Sequence, residues 1–521
     1  MPRGDPSADR WSGRWTVAAL VSLVVLAAAL RWLQWSRSVT IFNDGPLFLA
    51  IARSIAAGDW NAALAQPHHL LYPALIAAGH GVGLDWETAG AAVSVLAGSA
   101  AVALAFLLMH DLFGPPAAWI GTVVLAVHSR AVEYASDVQT DGLYLALFLA
   151  GAWLVWRAWR SGSARLATLG GVASGLAYLV RPEGIGLVAV AAALACLAWL
   201  RSGWSSSQAL RWVFAVAVAA ALCAAPYAIA LERHTGAWTL SQKKSVGGLL
   251  GAGAPPRITS SPTAAASPAP PWSVGGRADR GDDGLAVVSA QSPSERALAA
   301  ARMLGRTARS ALRYGPLVLL VAGLIAARGR PSHRGVFSLV LLAAYGSVLY
   351  ALTYQHGYVS RRHALPPMVP LLGYVGLGAI ALGALAARGR SGRAAALAAV
   401  FAGVVVLGEL ASQREPRREE ERAARAVAEW LRDHAEPGPL AAARLRLGYY
   451  AGMPYIPLSR VDDASLGAFL EQAGVRYVLV DDPAEVEALQ RITGDRFRLL
   501  HQETLGGREA WVFERAAPAA P

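Results

Sequence analysis

His128-Ser129-Arg130-Ala131-Val132-Glu133-Tyr134-Ala135-Ser136-Asp137-Val138-Gln139-Thr140-Asp141-Gly142-Leu143-Tyr144 is the stretch on which the reading of this chain turns. Three carboxylates and an arginine lie here between two apolar runs, Ala117 to Val127 and Leu143 to Trp156. A bare charge at the centre of a bilayer costs roughly 2.5 to 3.5 kcal/mol per residue on insertion scales, so these groups belong at an interface or in a wet cavity. Were the segment one helix, Glu133, Asp137 and Asp141 would follow at i, i+4 and i+8 and form a strongly anionic face. A solvated connection between two spanning helices is the plainer alternative, because carboxylates are ordinary residues of exposed loops.

Composition places the segment in a membrane protein. The 521 residues are 55% hydrophobic and only 16% charged, with a mean hydropathy of +0.38, far from the make-up of a soluble domain. The net charge of +12 does not indicate nucleic acid. Its arginines group between apolar runs, as they do in the cytoplasmic loops of membrane proteins. The two cysteines, Cys196 and Cys223, fall inside apolar runs and read as small buried hydrophobes. Arg3, Arg10 and Arg14 precede a first apolar run from Trp15 to about Trp35 that has no convincing small-residue cleavage site, which makes it a retained signal anchor.

Apolar runs able to span begin at 15–35 and continue at 88–109, 116–135, 142–159, 166–180, 184–200, 209–231, 314–327, 336–353, 364–387 and 394–411, about eleven in all. With the N-terminus inside, the cytoplasmic loops hold Arg157, Arg160 and Arg165, then Arg201 and Arg211, then Arg328, Arg330 and Arg334, then Arg388, Arg390 and Arg393. Each obeys the positive-inside rule. The opposite loops then face outward: 36–87, the 130–141 cluster, Arg181-Pro182-Glu183-Gly184, 232–313, His356 to His363, and everything after 412. A transporter more often sets its ionisable residues at the bilayer midplane within repeated halves, and no such repeat is visible. Charge gathered at one rim points instead to a site at a membrane surface.

Within the first outer loop, Asn43-Asp44-Gly45-Pro46 offers a helix start, followed by Leu47, Ala50, Ile51, Ser54 and Ile55 at helical spacing, which predicts a short interfacial helix. The apolar part of Gln66 to Ile76 is too short to span and is expected to pack or re-enter at the same surface. Residues 245 to about 300, rich in Ala, Pro, Ser and Gly, read as a disordered outer insertion. After 412 the pattern changes. Glu421 to His434 and Leu466 to Gln472 read as helices, and Arg476 to Asp482, Phe497 to Glu503 and Ala510 to Arg515 as strands. The expected domains are therefore 1–412, a polytopic α-helical membrane domain, and 413–521, a small extracytoplasmic α/β domain.

Four stretches in this order resemble the membrane glycosyltransferases of the C superfamily, in particular the family 39 type that includes protein O-mannosyltransferases and aminoarabinose transferases. They are Phe42-Asn43-Asp44-Gly45-Pro46 with His69-Leu70-Leu71-Tyr72-Pro73, then Glu133-Tyr134 to Asp141-Gly142-Leu143-Tyr144, then Leu179-Val180-Arg181-Pro182-Glu183-Gly184, then Ser360-Arg361-Arg362-His363-Ala364-Leu365-Pro366. Two departures stand out. Gly45 follows Asp44 where the family carries an Asp-Glu pair, and Asp141 occupies a position that is often Glu. The missing second carboxylate counts against a metal site and against protein mannosylation specifically.

The resemblance implies transfer of a sugar from a polyprenyl phosphate to a protein, lipid or glycan acceptor outside the plasma membrane. Displacement at an anomeric carbon develops positive charge on the sugar and negative charge on the departing phosphate. It implies Asp44 as the general base, with Asp141 and Asp137 orienting sugar or acceptor. Arg181, Arg361 and Arg362 suit the phosphate because a guanidinium binds it bidentately. Glu133, His69, Tyr72, Glu183 and His363 fall in the matching stretches as substrate-binding candidates. A divalent cation held by Asp44, Asp137 and Asp141 stays open as a cofactor, although adjacent His68 and His69 lack the spacing of a histidine metal pair. Two other readings remain: a transporter or flippase of lipid-linked sugars, and a scaffold whose soluble tail is the active part.

Overall fold

The computed structural model describes residues 13–201, 203–242, 292–328, 332–357, 359–388, 390–458 and 463–516. Residues 245–291 of the expected insertion, together with Arg3, Arg10 and Arg330, lie outside these. Contacts divide the chain into two units, one built from residues up to 35, 51–242 and 292–414, the other from 36–50 and 415–516.

The first unit is a multi-pass helical bundle. Eight of its described helices are long and apolar enough to cross a membrane: Arg14–Ser36, Trp86–Phe113, Asp141–Ser161, Pro182–Leu200, Ser206–Thr235, His333–Gln355, Arg361–Ala386 and Ser391–Ala411. A ninth arises if Pro293–Leu312 and Tyr314–Ala326, which meet at 102°, count as one broken span. The other two expected spans are shorter. Pro115–Val127 has 13 residues and Ala164–Tyr178 has 15, below the roughly 20 that cross a bilayer upright. In the first loop the helix starts at Gly45, where the Asp44 carbonyl accepts the Leu47 and Phe48 N–H groups. The short apolar stretch behind it forms Leu71–Gly81.

Residues 293–300, expected in the disordered insertion, are instead helical. Ser292 and Glu295 cap each other's backbone N–H groups at the start of Pro293–Leu312, a reciprocal pair that overrides the surrounding Ala- and Ser-rich composition.

Between bundle helices the driving force is close packing rather than water exclusion, so small residues line the tightest crossings. Tyr314–Ala326 crosses Leu372–Ala386 where a Cβ on Gly323 would collide with the Tyr374 carbonyl, and one on Gly378 with the Leu319 carbonyl.

The second unit carries a five-stranded sheet: β1 (Leu440–Ala442), β2 (Tyr455–Pro457), β3 (Tyr477–Val480), β4 (Phe497–Leu505) and β5 (Arg508–Arg515), in the order β2-β1-β3-β5-β4. β1 runs parallel to β2 and β3, whereas β5 is antiparallel to β3 and β4. Gly506 and Gly507, at φ 62 and 70, close the β4–β5 hairpin, since a two-residue turn of matching twist needs positive φ at both centres. Against this sheet lies the amphipathic helix Arg422–His434.

Residues 36–50 are tied into this unit. Glu421, 1% exposed, is held by Arg446 through two hydrogen bonds, by Arg444 at 3.2 Å, and accepts the Thr40 hydroxyl at 2.8 Å. The Tyr450 hydroxyl accepts the Ile41 N–H, and Arg418 donates to the Thr40 carbonyl. Burial alone would raise the Glu421 carboxyl, but the Arg446, Arg444 and Arg418 charges outweigh it and hold it below its ordinary 4.5. A depressed carboxylate contributes stability in full above its unfolded pKa and loses it as pH falls through the folded one.

Two outcomes follow from these contacts. Glu421→Gln is expected to reduce the loss of stability that wild type should show below about pH 4.5, and at pH 7 to cost about 3–5 kcal/mol because buried Arg446 loses its carboxylate partner. Thermal unfolding of the detergent-purified chain across pH checks both. Gly378→Leu is expected to eliminate the monodisperse peak in size-exclusion chromatography, whereas Gly392→Leu, with open space around it, leaves the peak intact.

Candidate active site

The decisive stretch is not one helix, which corrects the one-face expectation. Pro115–Val127 stops at His128, whose backbone is extended (φ −60, ψ 117), and Ser129–Tyr134 forms a separate short helix. A broken helix frees backbone groups that must find partners in a water-poor interior. Here the Gln413 amide donates to the Val127 carbonyl at 2.7 Å, and a Glu409 oxygen accepts the Ser129 N–H at 2.8 Å. Residues 135–140 are non-helical, and Asp141 opens Asp141–Ser161.

Each carboxylate of the stretch is therefore placed separately, and the anionic face is replaced by ion pairs. Glu133 accepts from Arg130 at 2.8 Å. Asp141 and Arg181, 7% and 6% exposed at their side chains, pair at 2.8 Å, and Arg362 Nη1 stands 3.9 Å from the same Asp141 oxygen. Arg181 also donates its Nε to the Thr140 hydroxyl at 2.8 Å and lies over the Tyr144 ring. The Asp137 carboxylate accepts the neighbouring Val138 N–H at 2.7 Å.

Arg181 reaches Asp141 from a sharp turn. The helix Ala164–Tyr178 ends, a 3-10 turn Pro182–Ile185 follows, and Ser174 donates to the Gly184 carbonyl at 2.8 Å. A Cβ at Gly184 would strike the backbone of Tyr178 and Ala177, so only glycine lets the turn close. Glu183, on that turn, does not bond Arg181. It faces His363 Nε2 at 3.7 Å, and its carbonyl accepts from Tyr345. Ser360 caps Arg361–Met368 by accepting the Arg362 N–H, which sets Arg361, Arg362 and His363 on the first helical turn. Arg181, Glu183, Asp141, Arg362 and His363 thus come together from three parts of the chain. A small cleft lined by Tyr134, Asp141, Gly142, Leu145, Arg362 and Pro366 lies beside them.

Tyr72 and His69 occupy other positions. Tyr72 is wholly buried, its hydroxyl 3.0 Å from both the Gly90 carbonyl and the Ser94 hydroxyl, and Ser94 donates to the Gln139 carbonyl at 2.8 Å. It therefore props the 135–140 segment from beneath. His69, also buried, packs against Tyr178 and Tyr227 with Nε2 3.3 Å from the Ser241 hydroxyl. Asp44 belongs to the second unit, half-buried at the start of its helix. Among the described residues no three His, Cys, Asp or Glu groups stand close enough to share a metal ion. Sequence reasoning missed Thr140, Tyr345, Glu409 and Gln413; a lone acid in the apolar run 394–411 was the one signal pointing to Glu409.

Comparison with solved structures now settles the architecture. The chain aligns with ArnT from Cupriavidus metallidurans bound to undecaprenyl phosphate at a TM-score of 0.57 and 13% identity, over 97% of this chain and 99% of that one. The two proteins share a fold. The apo oligosaccharyltransferase of Archaeoglobus fulgidus aligns at a TM-score of 0.61 and 13% identity, over 98% of this chain and 76% of that one. AglB from the same organism, in complex with an inhibitory peptide and a dolichol-phosphate, aligns at 0.55 and 13%, over 98% and 75%. Residues 66–229 match the family model of dolichyl-phosphate-mannose-protein mannosyltransferase. That stretch contains His69, Tyr72, Glu133, Asp137, Asp141, Arg181 and Glu183. No curated protein matches the sequence.

The buried pair predicts a coupling. Arg181→Gln leaves Asp141 buried with its 2.8 Å partner gone and is expected to cost about 3–5 kcal/mol, while the Arg181→Gln/Asp141→Asn double variant unfolds at a higher temperature than the single one. Thermal unfolding in detergent of Arg181→Gln, Asp141→Asn and the double variant measures this; strictly additive losses would mean that the two side chains are uncoupled.

Proposed function

We propose that the protein transfers a sugar from a polyprenyl-phosphate donor to an acceptor on the extracytoplasmic side of the membrane, by inverting displacement with a carboxylate base. The observation that carries this reading is the clustering of Asp141, Arg181, Arg362 and the Glu183–His363 pair at the ends of separate helices. Similarity to transferases whose structures hold undecaprenyl phosphate and dolichol-phosphate supports it. The outward assignment rests on charge: Arg157 and Arg160 lie toward the far end of Asp141–Ser161, roughly 24 to 28 Å along the helix from Asp141, and arginines favour the cytoplasmic end.

The chemistry divides the charged groups by sign. As the glycosidic bond to phosphate breaks, the anomeric carbon gains positive charge, which the Asp141 carboxylate beside Arg181 is placed to stabilise. Arg181 commits Nε to Thr140 and Nη2 to Asp141, so it positions Asp141. Arg361 and Arg362 are the residues proposed for the departing phosphate oxygens, with His363 and Glu183 bordering the sugar. Asp44 is proposed to take the acceptor hydroxyl's proton, and Asp137 to orient the acceptor. The membrane is proposed to be the plasma membrane, with the 413–521 domain outside.

A panel of labelled polyprenyl-phosphate sugars incubated with the purified chain tests this directly. Release of polyprenyl phosphate with at least one sugar is expected, falling about 100-fold or more in Asp141→Asn and in Asp44→Asn. Wild-type turnover in Asp44→Asn would remove the base assignment. Donor carried across proteoliposomes without cleavage would replace the whole reading with a transporter.

A further inference from the structure

A second cavity in the bundle lies apart from the Asp141 cleft. It has a volume of about 420 Å³ and is lined by Arg130, Arg309, Ser310, Arg313, Tyr314, Gly315, Val404, Val405, Gly408 and Glu409. None of Asp141, Arg181 or Arg362 lines it. Three guanidinium groups face one carboxylate there, and Glu409 already has both oxygens engaged, one by Arg313 at 2.9 Å and one by the Ser129 N–H. Arg130 in turn donates to Glu133, outside the cavity. With Glu133 counted, three cations against two carboxylates leave an excess of one positive charge. Arg309 stands over the Tyr314 ring and has no ion-pair partner among the described residues.

The walls differ in character. Tyr314 and Val404 are 70% and 66% exposed, and Val400 and Leu407 continue the same bare apolar strip on Ser391–Ala411. On a spanning helix such a strip faces hydrocarbon. Leading into Tyr314–Ala326 is Pro293–Leu312, an amphipathic helix bent 102° away from it, with exposed Arg302, Arg306 and Arg309 at helical spacing on one face. A basic amphipathic helix across the end of a span is suited to the head-group layer. The bend itself is held at Arg313, whose φ of 64 is unfavourable for a side-chain-bearing residue and is retained by its ion pair with buried Glu409.

We propose that this cavity binds the phosphate of an anionic lipid that enters sideways from the bilayer, as a second lipid site separate from the donor's. The guanidinium excess recognises the phosphate, Arg309 being the principal contact, and the Val404 and Tyr314 wall takes the start of the acyl chains. Glu409 links the site to the active cluster, because the carboxylate that fixes Arg313 also fixes the first residue of Ser129–Tyr134. The proposal does not depend on sugar transfer, since its readout is binding.

Native mass spectrometry of the full chain in detergent, with dioleoyl phosphatidic acid, dioleoyl phosphatidylcholine and inorganic phosphate as probes, tests it. Phosphatidic acid is expected to bind about tenfold or more tightly than phosphatidylcholine, with that preference lost in Arg309→Gln and Arg309→Glu and kept in Arg309→Lys. Arg309 is exposed, so the variants are expected to match the wild-type unfolding temperature. Displacement of the lipid by millimolar phosphate would assign recognition to the phosphate alone; persistence of the preference would assign it to the lipid as a whole. Equal binding of the two lipids, an undiminished preference in Arg309→Gln, or one-for-one displacement by undecaprenyl phosphate would overturn the second site.

Discussion

The pairing of Asp141 with Arg181 is the constraint around which the bundle is arranged. A carboxylate this deeply buried is tolerated only with a cation in contact and hydrogen bonds to the remaining groups. Arg181 supplies the cation, its Nη2 2.8 Å from Asp141 Oδ2, while its Nε donates to Thr140. To deliver it, Ala164–Tyr178 must end sharply and the Pro182–Ile185 turn must close on a glycine with no space for a Cβ. The local backbone is thus subordinate to one ion pair, and the neighbouring Glu183–His363 and Arg362 contacts gather around it.

Polar groups within a membrane bundle are costly, and in this protein each is answered by a group distant in the chain. Gln413 and Glu409 satisfy the carbonyl and N–H released where Pro115–Val127 breaks, almost three hundred residues from that break. Tyr72 and Ser94 support the 135–140 segment from below. Glycines let helices such as Tyr314–Ala326 and Leu372–Ala386 approach closely enough to hold these partners in register. A basic helix and a cavity with excess positive charge share this architecture: Arg130 lines that cavity and Tyr134 the Asp141 cleft, so the proposed lipid site and the candidate active site meet the same short helix, Ser129–Tyr134.

Much of the fold is legible in the amino-acid order alone. Apolar runs of 20 or so residues identify spans because a bilayer has one thickness, and most of those expected are present. The strands around Tyr477 and Phe513 were visible as buried β-branched and aromatic runs. The short strands Leu440–Ala442 and Tyr455–Pro457 were not, because three residues carry no periodicity. The Asp141 and Arg181 stretches stood out as charge beside apolar sequence, yet the pairing between them did not, since nothing in either local pattern selects a partner 40 residues away.

The amino-acid order by itself determined that the chain is a multi-pass helical membrane protein with a small α/β domain, because hydrophobic length and alternation are local properties. It also fixed which charged residues would need compensation. Only the tertiary structure decided that the stretch from His128 to Tyr144 is broken rather than one helix, and that Tyr72 is a buried prop. The break depends on Glu409, which accepts the Ser129 N–H, and on Gln413, which donates to the Val127 carbonyl, and a helix gives up its own ladder only when such distant partners replace what it loses.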